Sequence, residues 1–223
     1  MFRLYDPRAE VTAEVPRAHP RLLGLRARGG LRAYLVADVV RRLAEHRKLQ
    51  VRLDTDASPD VESLNVYPAD APPPRVDLDV LGAGAEPDPA AGRALRTAKL
   101  SLEPGLVPAL GVDPLAVRLA VLTVRYRMPI DLDRHALRTA DACIRDWRAA
   151  LARWAESPSA PLQATAVAAV VGALEDDLDV GAALGVLDRL GNDPAVPAGA
   201  RFETFAYVDR LLGLDLAREV GRS

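Results

Sequence analysis

Apolar positions along the chain follow two different spacings. In the first hundred residues short β-like runs alternate with one good helix: "LRAYLVADVVRRLAEHRK" sets Leu31, Leu35, Val39 and Leu43 on one stripe and keeps Arg41, Arg42 and Glu45 off it. Gly29 and Gly30 precede this helix, and "VRLDTD" follows it as a short strand. "YPADAPPPR" reads as a loop. "VDLDVLG" then alternates Val76, Leu78 and Val80 with Asp77 and Asp79, which predicts a further strand with one polar face.

From residue 113 the period becomes helical. Asp113 and Pro114 form a cap with proline at the first helical position, and "LAVRLAVLTVRY" is apolar on nearly all sides except Arg118, Thr123 and Arg125. The next helix repeats apolar positions at intervals of three and four through Leu137, Ala140, Ile144, Trp147, Leu151 and Trp154, so a helix must cover it. Val167, Val170, Val171, Leu174 and Leu178 define a third helix. "VGAALGVLDRL" is a fourth, ended by Gly191, and "ARFETFAYVDRLL" a fifth, ended by Gly213. Short breaks between them predict antiparallel packing. Strand, glycine turn, helix and strand outline a nucleotide-binding α/β unit. The expected architecture is therefore α/β plus all-α: a reduced Rossmann-like domain over residues 1–106, then a helical bundle domain over 107–223.

Composition narrows the chemistry. No apolar run reaches the roughly 20 residues a membrane helix needs, and "MFRLYDPRAE" has no apolar leader core, so a cytoplasmic protein without membrane partners is expected. The single cysteine, Cys143, excludes an internal disulfide and any site needing several thiolates; its place on an amphipathic helix reads as a structural thiol. Charge is unevenly spread: residues 1–52 hold 12 Arg or Lys against five Asp or Glu, and residues 53–98 hold three against nine. An intramolecular match of these stretches competes with a nucleic-acid surface. His19, His46 and His135 fit no ligand spacing, and Asp179 reads as a helix cap rather than a metal ligand.

Arg26, Arg28 and Arg32 surround Gly29 and Gly30 at a helix amino terminus, where free N–H groups attract anions. They form the candidate nucleotide or anion site, alongside a plain solvated basic turn.

Several segments, in order, resemble the cysteinyl-tRNA synthetases and their relative, the ATP-dependent ligase that joins cysteine to the amino sugar of mycothiol. "LRAYLVADVVRRLAEHRKLQVRLDTD" is similar to the family's first long helix and the strand ending in a Thr-Asp pair, here Thr55 and Asp56. Asp113, Pro114, Arg118, Leu119, Leu122, Tyr126, Arg127, Pro129 and Asp131 occupy the places of D-P-x-x-x-R-L-x-x-L, then Y-R, proline and aspartate. "ALEDDLDVGAALGVLDRL" and "YVDRLLGLDL" resemble the later helices. The likeness spans most of residues 25–55 and 96–216. It makes the helical half a stem-contact-like region with a bundle.

On that alignment "RTAKLSLEPG" stands at the family's lysine-rich signature loop, so Lys99 and Ser101 join the candidate nucleotide-binding residues. In the family the second lysine neutralises phosphate charge in adenylate formation; here its place is Leu102, followed by Glu103. The family's H-I-G-H turn falls at Ala27, Arg28, Gly29 and Gly30. "AEPDPAAG" stands where a histidine-rich ligand motif is expected, so the resemblance implies no zinc site, while ATP stays a candidate cofactor. Only some 45 residues separate Asp54 from Lys99, which implies a missing insert and a truncated, degenerate relative. No catalytic residue is assigned. Three readings follow: an inactive relative retained to bind a nucleotide, tRNA or partner protein; a residual cysteine ligase that still forms an aminoacyl adenylate; and a helical interaction scaffold that oligomerises through the Trp147–Trp154 seam. The first is preferred, because chemical positions are lost while packing positions persist.

Overall fold

A computed structural model describes residues 3–6, 11–56 and 59–221. Parts of the amino-terminal stretch read for a leader, Met1, Phe2 and residues 7–10, lie outside the described residues. The chain opens with an antiparallel pair, β1 (Arg3–Asp6) and β2 (Val11–Glu14). A βαβ unit follows: β3 (Leu22–Arg28), α1 (Leu31–His46) and β4 (Gln50–Thr55), with β4 parallel to β3. After a 3₁₀ turn at Pro59–Leu64, β5 (Leu78–Leu81) joins the other side of β3, and β6 (Arg93–Arg96) pairs with β5. The result is a four-stranded parallel sheet in the order β4-β3-β5-β6. Leu35, Val39 and Leu43 of the predicted stripe are buried where α1 packs on the sheet.

β5 departs from the alternating pattern. Asp77 and Asp79 were expected on a polar face, yet both are buried, Asp79 completely. A central strand of a parallel sheet is closed on both sides. Here α1 covers one face and the chain itself covers the other: Asp77 accepts from the Ala18 and Gly24 amides at 2.9 Å each, and Asp79 accepts from Arg28 at 2.9 Å and the Asp88 amide at 3.0 Å.

The stretch "RTAKLSLEPG" is not one open loop. Arg96 ends β6, and Leu100–Leu102 forms β7, which pairs in parallel with β8 (Ile130–Leu132) so that Leu102 stands opposite Leu132. Gly105, at φ +79, turns the chain into the short helix α2 (Leu106–Leu110).

The remaining helices are α3 (Pro114–Thr123), α4 (Arg134–Ala155), α5 (Ala164–Glu175), α6 (Val180–Asn192) and α7 (Ala198–Leu212). The Asp113 carboxylate caps α3 by accepting from the Leu115 amide at 2.8 Å, and Asp179 caps α6 through Ala182 at 3.0 Å. α4 packs on α3 and α7, and α5 on α6 and α7. Along α4 every position of the predicted seam is buried except Trp154, which is half-buried.

Three helix details differ from the pattern. α5 stops before Leu178, because Asp177 and Leu178 both take left-handed φ, 60° and 51°, and so turn the chain while keeping Leu178 in the core. Gly191 does not end α6 but lies inside it, where an added Cβ would sit 3.3 Å from Phe205 Cζ; close packing, not termination, asks for glycine there. Arg118, read as one of the polar exceptions on α3, is completely buried. The apolar core runs from the sheet into the helices without a break at residue 106, taking in Leu25 and Leu53 as well as Leu115, Ile144 and Phe205.

Candidate functional site

In an open α/β sheet a ligand crevice forms at the carboxyl ends of the strands where the order reverses. Here that point lies between β3 and β5, and Gly29 and Gly30 stand at it with φ of +82° and +127°. The turn is tightly closed: a Cβ on Gly82 would lie 1.9 Å from the Gly29 carbonyl oxygen, and one on Gly29 2.8 Å from Ala85 Cβ.

The three predicted arginines do not converge there. Arg26 donates to Asp88 at 2.7 Å and lies 3.3 Å from Asp54. Arg28 donates to Asp79 at 2.9 Å and to the Glu86 carbonyl at 3.1 Å. The basic front of the chain is thus matched at these positions by the acidic stretch that follows it. Asp88 is held below the usual carboxylate range by the Ala90 amide first and Arg26 next. Arg32, in the first turn of α1, is 2 % exposed and leaves the crevice altogether. Its guanidinium donates to the carbonyls of Met128, Arg125 (2.7 Å), Val124 (3.2 Å) and Ala98 (3.4 Å), stitching α1 to the loop before β8. Burial lowers its pKa.

Of the signature-loop positions, Lys99 is exposed, and Ser101 is half-buried beside Asp131 in the β7–β8 register. Leu102 is half-buried and packs on the apolar core. Among the described residues no hydrogen bond or ion pair joins the side chains of Lys99 or Ser101 to Arg26 or Arg28. The backbone does bring Arg32 next to Lys99, through Ala98.

The polar positions carried by the resemblance meet elsewhere, as joints of the scaffold. Arg118 donates to Asp38 at 2.6 Å, to the Leu212 carbonyl at 2.6 Å and to the Leu64 carbonyl at 3.1 Å. Asp38 also accepts from Arg42 at 2.7 Å and from the Tyr67 amide at 3.0 Å, so one buried carboxylate joins α1, α3 and the loop after the 3₁₀ turn. Tyr126 donates its hydroxyl to Asp177, which also accepts the Tyr5 amide at 2.9 Å and pairs with Arg127 at 3.2 Å. Burial first, then Asp177, pushes the Tyr126 phenol well above its ordinary value. Asp113 pairs with Arg148 at 2.6 Å and Arg218 at 2.7 Å. A single arginine inside "LAVRLAVL" and a single aspartate inside "LVADVV" were the signals available for the first of these joints.

No family model matches the chain. It is 39% identical over 116 residues to the L-cysteine:1D-myo-inositol 2-amino-2-deoxy-alpha-D-glucopyranoside ligase of Thermobifida fusca (strain YX), a match covering 48% of this chain and 26% of that protein. The ligases of the same description from Nocardiopsis dassonvillei and Thermomonospora curvata are 40% identical over 114 residues and 38% over 115, each again covering 48% of this chain and 26% of the relative. Over about half of its length the chain is similar to these cysteine ligases. It covers about a quarter of the length of the relatives it matches. Among the described residues no helix is long and apolar enough to cross a membrane, and no group of three or more His, Cys, Asp or Glu could hold a metal ion.

Proposed function

We propose that the chain is a cysteine-ligase-like protein retained for binding a nucleotide, tRNA or a partner protein, and that it does not form an aminoacyl adenylate. In this reading the sheet is a reduced Rossmann-like unit, α3–α7 are the stem-contact-like region with its antiparallel bundle, and the protein works in the cytoplasm. Leu102 carries the reading. By resemblance it takes the place of a lysine that meets phosphate charge in the transition state, and its half-buried side chain packs on the core in β7. Loss of one such donor costs about 2.7–4 kcal/mol, or roughly a hundred- to a thousand-fold in rate.

The residues present do not fit a working adenylate site. Arg26 and Arg28 are engaged by Asp88, Asp54 and Asp79, and Arg32 by backbone carbonyls. Nor do they fit the zinc site of the synthetases, which needs two cysteines; Cys143 is the only one, and it lies on α4. Against these losses the buried joints at Asp38–Arg118 and Tyr126–Asp177, and the partly buried one at Asp113–Arg148, favour a maintained fold.

A thermal-shift screen against ATP, cysteine, a stable adenylate analogue and bulk tRNA tests the binding half of the proposal. A ligand present at 100 times its Kd stabilises by about 2.7 kcal/mol, which for a chain of this size raises Tm by roughly 5–11 °C. A shift of that order with a nucleotide or tRNA is expected. A flat response to all four, with no complex of this chain recovered from its host, contradicts it.

A further inference from the structure

Both tryptophans of the chain and its single cysteine line one cleft of about 580 Å³, bounded by α4, the end of α6 and the start of α7. That volume lies in the range of small-molecule sites. Its aromatic wall is fixed from behind: Trp147 and Trp154 each meet Phe205 edge-on, with ring centroids 6.2 and 5.2 Å apart. Gly191 packs against the same ring, where an added Cβ would sit 3.3 Å from Phe205 Cζ.

The polar lining is balanced. Asp146 and Asp188 are exposed, and neither carboxylate enters an ion pair among the described residues. Both act on Cys143: burial first, then Asp188 and Asp146, push its thiol up to about 11. Arg153 and Arg201 supply the opposite charge. The Arg201 guanidinium already stands 5.6 Å over the Trp154 ring and donates to the Asp193 carbonyl at 2.6 Å, yet its Nε is buried without an acceptor. Two free carboxylates beside indole rings suit a cationic nitrogen. The half-buried Arg201 guanidinium lining the cleft suits a carboxylate. A formally neutral lining disfavours a ligand with net charge of either sign.

We propose that this cleft is a binding site for a small zwitterion, with its ammonium against Asp146, Asp188 and the half-buried Trp154, and its carboxylate at Arg201. The site is separate from the sheet crevice and does not rest on the reading of the signature loop.

The experiment is a tryptophan fluorescence titration of the full chain with carnitine, a trimethylammonium carboxylate. Because the chain has two tryptophans and both line the cleft, the whole indole signal reports on it. A saturable change is expected, weakened at least roughly tenfold by Asp188→Asn and by Arg201→Gln, with the half-ligands tetramethylammonium and acetate each binding at least roughly tenfold more weakly than carnitine. The exposed Asp146→Asn variant keeps the test open if Arg201→Gln loses its fold. No saturable change up to millimolar carnitine, a half-ligand as good as the whole, or variants that bind like the parent would overturn the proposal.

Discussion

Replacing Arg118 by methionine removes a buried cation from the centre of the molecule, and the loss can be worked from its contacts. Arg118 and Asp38 are both completely buried, and the guanidinium also holds the carbonyls of Leu212 and Leu64. Methionine fills much of the volume but donates nothing. Asp38 keeps Arg42 and the Tyr67 amide, so its charge is not abandoned; the carbonyls lose their donor outright. Breaking a buried pair from one side costs about 3–5 kcal/mol. At 2–4 °C per kcal/mol for a chain of this length, Tm should fall by roughly 6–20 °C. Asp38→Asn should cost more, because it strips the counter-charge from two arginines, Arg42 at 6 % exposure as well as Arg118. Urea titration followed by circular dichroism measures both. A loss below about 1 kcal/mol for Arg118→Met, or a milder effect of Asp38→Asn, would refute the view that this carboxylate joins α1 to α3 and the loop after the 3₁₀ turn.

Two further outcomes follow from titratable groups. Burial raises the Asp113 carboxyl, but Arg148, the Leu115 amide and Arg218 outweigh it and hold its pKa below the ordinary 3.8. Its stabilising contribution is therefore present above that value and lost as pH falls through the lower folded one. Asp113→Asn should cost about 3 kcal/mol at neutral pH, with the gap to the parent closing below pH ~4; a gap independent of pH in acid titrations would count against the assignment. Cys143, pushed to about 11, carries roughly 100-fold less thiolate than an ordinary thiol at neutral pH, and because a more basic thiolate is also more nucleophilic it should react with iodoacetamide roughly tenfold more slowly. Alkylation at the rate of free cysteine would show an open thiol instead.

Much of the helical half was legible because burial on a helix repeats at three and four residues. Leu137 through Leu151 fall on a buried seam, and the caps at Asp113 and Asp179 stand where their residue types placed them. What spacing could not convey was long-range pairing. Asp77 and Asp79 alternate with apolar residues as surface positions do, and only the sheet order, with the chain laid over its second face, makes them buried. Arg118 looks like a solvated interruption until Asp38, 80 residues earlier, is brought beside it. Gly191 and Leu178 depart from the pattern for a local reason: glycine can end a helix or admit a neighbour's ring, and an apolar residue at the right interval can follow a helix instead of belonging to it. At the candidate site the residue types were visible, but their partners were not. A basic turn beside glycines reads alike whether its arginines await an anion or already hold Asp88 and Asp79.

Cysteine-dependent exchange of labelled pyrophosphate into ATP measures adenylate formation itself, with Leu102 in place and no acceptor needed. No exchange above the enzyme-free background is expected at any cysteine concentration. Exchange that rises with cysteine and saturates would contradict it.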